Sequence, residues 1–296
     1  MSSGWYLGGV AEVLPFELKV ELDRLDPDLE KLTEELRFRI GQPMSVNVEG
    51  DEIDVADITV TSEHLMTILE NVTQASAHTV LNQVKDGFIT AKGGHRIGMC
   101  GTTVCRGGEV ANLRCITSLS VRIAKACYGI AEPIIPELME KGTLCNTLII
   151  APPGTGKTTM LRDMVRTISD GGRRVSLVDE RGEIAAVWQE TPQFEIGRRT
   201  DVLNYCPKAI GMLMMLRGMN PQVIAVDEIT HPADVRAMTE ICGCGVTVVA
   251  TAHGTDLGDL RDRPLYCDLL ERRIFKRVVV MGRTGKKRSA KVVVPG

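Results

Sequence analysis

Apolar residues follow two different rhythms along this chain, and the change between them near residue 130 divides it. After Asp26-Pro27, a helix-start pair, Leu29, Leu32 and Leu36 recur at helical spacing. Leu36, Phe38 and Ile40 alternate, as do Met44, Val46 and Val48 beyond the Gly41-Gln42-Pro43 turn, so the pattern predicts a helix followed by two short strands. A second helix is expected from Ser62, with Leu65, Ile68, Leu69 and Val72 on one face. From Gly87 to Arg122 the texture is that of strands broken at Gly93-Gly94 and Gly107-Gly108, two pairs suited to tight turns. The expectation is a small α+β domain over residues 1–129. Pro133 and Pro136 then lead through a short helix, to about Lys141, into a second domain over 130–296.

In that second stretch continuous apolar runs replace alternation. Leu148 to Ala151, Val175 to Val178, Val223 to Val226 and Val246 to Ala250 are separated by helical segments such as Thr158 to Ser169 and Pro232 to Ile241. A strand apolar at every position is buried on both faces, so this half reads as α/β with a mostly parallel sheet between helices. Sheets of this kind bind ligands at the carboxyl ends of their strands, which is where the chemistry should follow each run.

The first run opens into Pro152-Pro153-Gly154-Thr155-Gly156-Lys157-Thr158-Thr159. Glycine permits the torsions that turn successive N–H groups toward one anion. Lys157 can reach the terminal phosphates, the Thr158 hydroxyl can meet a magnesium ion, and the following helix aims its positive end at the same charge. The segment Pro153 to Thr159 is thus the candidate nucleotide cradle, with Ala151 where glycine usually opens the pattern. The third run ends in Asp227-Glu228. Asp227 is the candidate metal carboxylate, together with Thr158, and Glu228 the candidate that polarises an attacking water; the alternative is a solvated helix cap.

Asp179-Glu180-Arg181-Gly182-Glu183 follows the second run. Asp179 or Glu180 can add a carboxylate near the terminal phosphate or metal; alternatively Asp179 or Glu183 pairs with Arg181 or caps the next helix. Thr251-Ala252-His253-Gly254 follows the fourth run: Thr251 can bond the water or terminal phosphate, and His253 either senses that phosphate or is structural.

Composition narrows the field. The chain has 296 residues, a net charge of −3 and 4% aromatic residues. No global field draws it to nucleic acid or anionic lipid, and no stacking platform for single strands is evident. It has no apolar run long enough to span a bilayer and no basic-then-apolar leader, which sets the expectation of a cytosolic location. Nine cysteines, an odd number, are expected to be reduced; Cys206, Cys242 and Cys244 lack a partnered C-x-x-C pair and read as buried small hydrophobes. The basic C-terminal stretch, with Arg283, Lys286, Lys287 and Arg288, alternates around Thr284-Gly285 like a terminal hairpin. It is either a solvated strand pair or a surface for an acidic partner or phospholipid headgroups.

The phosphate loop, the segment Val178 to Ile184, Leu216-Arg217-Gly218-Met219-Asn220-Pro221, the strand ending in Asp227-Glu228 and the Thr251 to Gly254 element together resemble the ATPase core of type II and type IV secretion ATPases, RecA-like P-loop motors. Leu32 to Arg39 and Gly87 to Gly98 extend the likeness across nearly the whole chain to the stage III sporulation protein AA family, itself similar to those ATPases. One departure is the order of acids: secretion motors usually place Glu before Asp where this chain has Asp179 before Glu180, which leaves open which one meets the nucleotide. The resemblance implies ATP and Mg²⁺ as ligands and a hexameric ring. It also implies a place peripheral to the membrane, at the cytoplasmic base of a sporulation channel. It further implies arginines reaching the nucleotide from the small domain or a neighbour. Arg96, Arg114 and Arg122 are the candidates, and Arg217 serves in cis or at an interface; each also reads as an ordinary surface or salt-bridge arginine. The alternatives are an ATP-dependent remodeller of single-stranded nucleic acid and a scaffold that binds ATP without hydrolysing it.

Overall fold

A computed structural model describes residues 7–73, 87–284 and 287–295. The chain forms two compact units, Met1–Lys125 with Ala186–Gln193, and Ala126–Ala185 with Phe194–Gly296. The second unit is therefore interrupted by a short excursion that belongs to the first.

In the first unit α1 (Gly8–Ala11), α2 (Phe16–Asp23) and α3 (Pro27–Leu32) precede β1 (Thr33–Arg39), β2 (Pro43–Val48) and β3 (Asp51–Thr59). After α4 (Ser62–Thr73) come β4 (Phe88–Thr90), β5 (Arg96–Arg106) and β6 (Glu109–Arg122), and the sheet order is β3-β2-β1-β6-β5-β4. Every pairing in it is antiparallel. Asp26 caps α3 by accepting from the N–H of Asp28 at 2.8 Å, as the Asp-Pro pair predicts. The helix is shorter than the leucine spacing suggests. Thr33 Oγ1 donates to the Leu29 carbonyl at 2.8 Å where the helix ends, and Leu36 lies in β1 facing the core while Leu32 is exposed. Sheet alternation prevails because Leu36 and Phe38 are both fully buried among Met44, Val46, Leu65, Ile68, Ile97 and Val121. His95, at the foot of β5, accepts from the N–H of Ala124 at 3.0 Å, and burial pulls its imidazole down to about 4.

The second unit carries two-residue strands β7 (Met139–Glu140) and β8 (Thr143–Leu144) after a four-residue 3₁₀ turn, Ile135–Leu138, where the sequence predicts a short helix. Its main elements are β9 (Thr147–Ala151), α5 (Lys157–Asp170) and β10 (Val175–Asp179). The excursion hairpin of β11 (Val187–Trp188) and β12 (Thr191–Pro192) intervenes, then β13 (Thr200–Asn204), α6 (Lys208–Gly218), β14 (Val223–Val226), α7 (Pro232–Gly243) and β15 (Thr247–His253). Next come α8 (Leu257–Arg261), α9 (Pro264–Glu271), β16 (Arg277–Thr284) and β17 (Lys287–Val293). The strand order is β13-β10-β14-β15-β9-β16-β17, parallel throughout except for β17 at the edge. Leu148, Ile150, Val178, Ile224, Val226, Val248 and Ala250 form one core with Met212 and Met215 of α6, Val235 and Met238 of α7, and Leu260 and Leu269. Helix α5 lies against β9, β10 and β15 through buried Leu161, Met164 and Val165. All residues of β9, β10 and β14 are buried, as continuous apolar runs require.

Two expectations need correction. Most cysteines are not buried: Cys145 is, but Cys206 and Cys242 are half-buried and Cys244 is exposed, as are Cys100, Cys105, Cys115 and Cys127. The strand β13 and helix α6 have no counterpart in the reading of apolar runs. The β13 residues are all only half-buried, because this strand is the outer edge of the sheet. The predicted terminal hairpin is present, but its turn at residues 285 and 286 lies outside the described residues.

Candidate active site

Strand β9 delivers the chain to the phosphate loop at the carboxyl edge of the sheet. Gly154 and Gly156 adopt φ of +73° and +98°, the left-handed region that glycine enters without strain. Gly156 is the residue before α5 and has no side chain to cap it, so no side chain satisfies the first-turn N–H groups of that helix, and the first turn contains no acid. An uncapped helix start behind a glycine turn is a site prepared for an anion. Pro153 and Gly154 are exposed, Thr155 is buried, and Thr158 and Thr159 are half-buried on the first turn.

The decisive contact crosses from this loop to β14. Lys157 Nζ donates to Glu228 Oε2 at 3.1 Å, and Nε2 of His253 lies 3.1 Å from the same oxygen. Beside them Thr251 Oγ1 donates to Asp227 Oδ1 at 3.0 Å. Five residues drawn from the ends of two strands, β14 and β15, and from the phosphate loop thus form one cluster. The order β14-β15-β9 brings them together, placing the β15 residues Thr251 and His253 between the acids and the loop. His253 Nδ1 is buried and has no hydrogen-bond partner among the described residues. The Asp227 and Thr158 oxygens are hard donors of the kind magnesium takes, so the residues present fit that ion. A cleft of about 880 Å³ between α7 and α9, lined by Val235, Arg236, Leu265 and Asp268, contains none of these groups.

The second acidic segment is built differently from the expectation. Asp179 is buried at the end of β10, and its two carboxylate oxygens accept from the N–H groups of Glu183, Ile184 and Ala185 at 2.9, 3.0 and 2.9 Å. Burial pushes its pKa up to about 6 against the opposing effect of those three donors, with the nearby Asp227 charge adding to the rise. Glu180 is paired with Lys208. Both carboxylates are therefore engaged by protein groups, and Asp179 organises its own loop instead of capping a helix. From the other side Arg162 of α5 donates to the carbonyls of Ile184 and Glu183 at 2.6 and 2.8 Å and stacks on Phe194, its guanidinium 3.6 Å from the ring centroid. This arginine was not singled out in the sequence, where nothing distinguishes it from a surface residue of an amphipathic helix.

Among the arginines, Arg217 is corrected first. It sits at the C-terminal end of α6, at the amino edge of the sheet from which β14 sets out, largely exposed and 3.9 Å from Glu240. A contact in cis with the phosphate loop is excluded, because that loop is at the opposite edge. Arg96 and Arg122 face each other across β5 and β6, and the Arg96 guanidinium lies 3.7 Å above the Phe88 ring. With Arg37 they line a cleft of about 340 Å³ floored by Gly98, Ser118 and Ser120. Arg37 was missed by sequence reading, although its place between inward Leu36 and Phe38 already assigns it to that outer face. Arg114 lies opposite Thr102, beyond a bulge in the same ladder, and lines no part of that cleft.

Residues 8–293 match the family described as "Sporulation stage III, protein AA". The chain belongs to this family. It is 40% identical over 279 residues to "Stage III sporulation protein AA" of Bacillus subtilis (strain 168), covering 93% of this chain and 90% of that relative. Its fold is that of RecA-like secretion ATPases. "X-ray structure of the Legionella pneumophila ATPase DotB" aligns with a TM-score of 0.59 at 18% identity, over 92% of this chain and 79% of that one. "Crystal Structure of the Pilus Retraction Motor PilT and Bound ADP" aligns with a TM-score of 0.62 at 15% identity, over 91% and 81%. At those identities the likeness speaks for the fold. Among the described residues no helix is long and apolar enough to cross a membrane.

Proposed function

We propose that this protein is an ATP-hydrolysing motor acting on a membrane assembly of sporulation. The observation that carries the reading is the 3.1 Å contact between the phosphate-loop ammonium and the acid beside the metal-type aspartate. Loop N–H groups from Pro153 to Thr159 and Lys157 would hold the triphosphate. Thr158 and Asp227 would hold magnesium, which when bound supplies charge neutralisation between the phosphates. Glu228 would orient and deprotonate a water. Lys157 occupies that carboxylate in the present structure; a phosphate that draws Lys157 away would release Glu228 for the water, and His253 on the same oxygen would keep the carboxylate in position. Thr251 fixes Asp227.

The N-terminal domain, expected at 1–129, and the ATPase domain at 130–296 would divide the work, one supplying an interface and the other the chemistry. Arg96, Arg114 or Arg122 would act in trans within a ring of six copies, where a guanidinium at a phosphoryl transition state is worth ~10³–10⁵ in rate. The ring would sit at the cytoplasmic base of a membrane channel and attach through protein partners. A scaffold that only binds ATP would have no use for an acid at the position of Glu228.

The test is ATPase activity measured across protein concentration, with and without single-stranded DNA. Specific activity rising with concentration supports a motor completed by its neighbours. Stimulation by DNA alone would transfer the protein to the nucleic-acid remodellers, and tight ATP binding without turnover at any concentration would make it a scaffold.

A further inference from the structure

Strand β16 runs parallel to β9 with Val280 opposite Ile150, so its last residues, Gly282 to Thr284, continue past the end of β9 alongside the phosphate loop. The chain returns along β17, where Arg288 stands opposite Arg283. Arg288 reaches over the loop. Its Nη1, Cζ and Nε atoms are 3.1, 3.4 and 3.7 Å from the point where a Cβ on Gly156 would stand. The missing side chain of Gly156 thus leaves room for a guanidinium against the loop backbone.

That placement is electrostatically unfavourable by itself. The guanidinium adjoins the positive end of α5, and among the described residues no carboxylate pairs with it. By contrast Lys157 is matched to Glu228, Arg166 to Asp163 and Lys208 to Glu180. A cation gathered against other positive groups is stabilised when an anion sits among them.

Topology says which part of that anion it would meet. The acids Asp227 and Glu228 follow β14, two strands from β9 on one side, whereas Arg288 comes from the other side through β16 and β17. The phosphate that reacts must lie toward Glu228. We infer that Arg288 is a cis phosphate ligand on the side away from the acids, binding the diphosphate shared by ATP and ADP. The C-terminal hairpin is thereby part of the nucleotide site and more than a solvated strand pair. This inference rests on the nucleotide-binding reading above.

The experiment is titration of the full chain with a fluorescent MgADP analogue and, by competition, with MgATP. Arg288→Ala should weaken both by the same factor, about 10-fold or more, as loss of a charge-assisted hydrogen bond predicts. Arg288→Lys should recover part of the loss. Arg272→Ala, which removes the same charge from a pair with Asp268 on α9, should bind like the wild type. Thermal melts of each variant separate misfolding from lost binding; Arg288→Lys carries the test if the alanine variant does not fold. Wild-type affinity in Arg288→Ala overturns the inference while leaving the nucleotide reading intact, as does a loss confined to ATP, which would mark a contact with the terminal phosphate. A wild-type chain that binds neither nucleotide removes both.

Discussion

Replacing Glu228 by Gln keeps the side chain's size and removes its charge, and the structure makes two opposite demands of that change. The carboxylate is the proposed water-activating base, so turnover should fall by ~10²–10⁴. It is also the partner of Lys157 at 3.1 Å, and so competes with incoming phosphate for that ammonium. The Coulomb attraction at this separation is about 5 kcal/mol at an effective dielectric near 20. The Glu228 side chain is 25% exposed and that of Lys157 10%, so solvent screening and desolvation offset most of it. A net pairing of about 1 kcal/mol remains, and its removal corresponds to about 5-fold tighter ATP binding. Glu228→Gln should therefore bind MgATP more tightly while hydrolysing it far more slowly, as read by equilibrium titration and single-turnover phosphate release. Lys157→Ala should lose both binding and turnover. Binding of ATP weakened as severely as in Lys157→Ala would refute the competition, and hydrolysis at the wild-type rate would refute the base assignment.

Asp179→Asn should destabilise the loop 180–185, because one amide oxygen cannot serve three N–H groups and the NH₂ would face a donor. Loss of one or two charge-assisted bonds is worth about 2–4 kcal/mol, with faster hydrogen exchange at residues 183–185 as the local readout. His95, depressed to about 4 by burial, contributes stability that is complete above its unfolded pKa of about 6.5 and is lost as pH falls from there to about 4. Asp179, raised to about 6, acts in the opposite direction, favouring the folded state as pH falls from about 6 toward 4. Denaturant midpoints measured between pH 7 and pH 4 should thus decline less steeply in a His95→Gln variant and more steeply in Asp179→Asn. Gly197→Ala should cost about 2–5 kcal/mol in a thermal melt, since φ is +86° and the new Cβ would lie 2.5 Å from Ser169 Cβ.

The sequence by itself determined the parallel core and the order of its chemistry. Runs such as Leu148 to Ala151 and Val223 to Val226 have no polar position to turn toward water, so they can only be interior strands. Glycines at 154 and 156 before Lys157 announce the anion cradle because the backbone torsions they adopt are costly for other residues. The acids at strand ends followed from the same rule.

Only the tertiary structure decided what those acids touch. Asp179 and Glu228 are both carboxylates just past a buried strand. One closes onto three N–H groups of its own loop and the other meets Lys157, a difference set by strand order and loop path. The excursion at Ala186–Gln193 and the position of Arg288 over Gly156 were equally hidden, since each depends on contacts between residues about 100 or more apart in the chain, such as Gly93 with Gln193 and Gly156 with Arg288. Local pattern fixes which residues are buried and how the backbone can turn. The pairing of charges is a property of the folded sheet, because Coulomb energy depends on separation in space and not along the sequence.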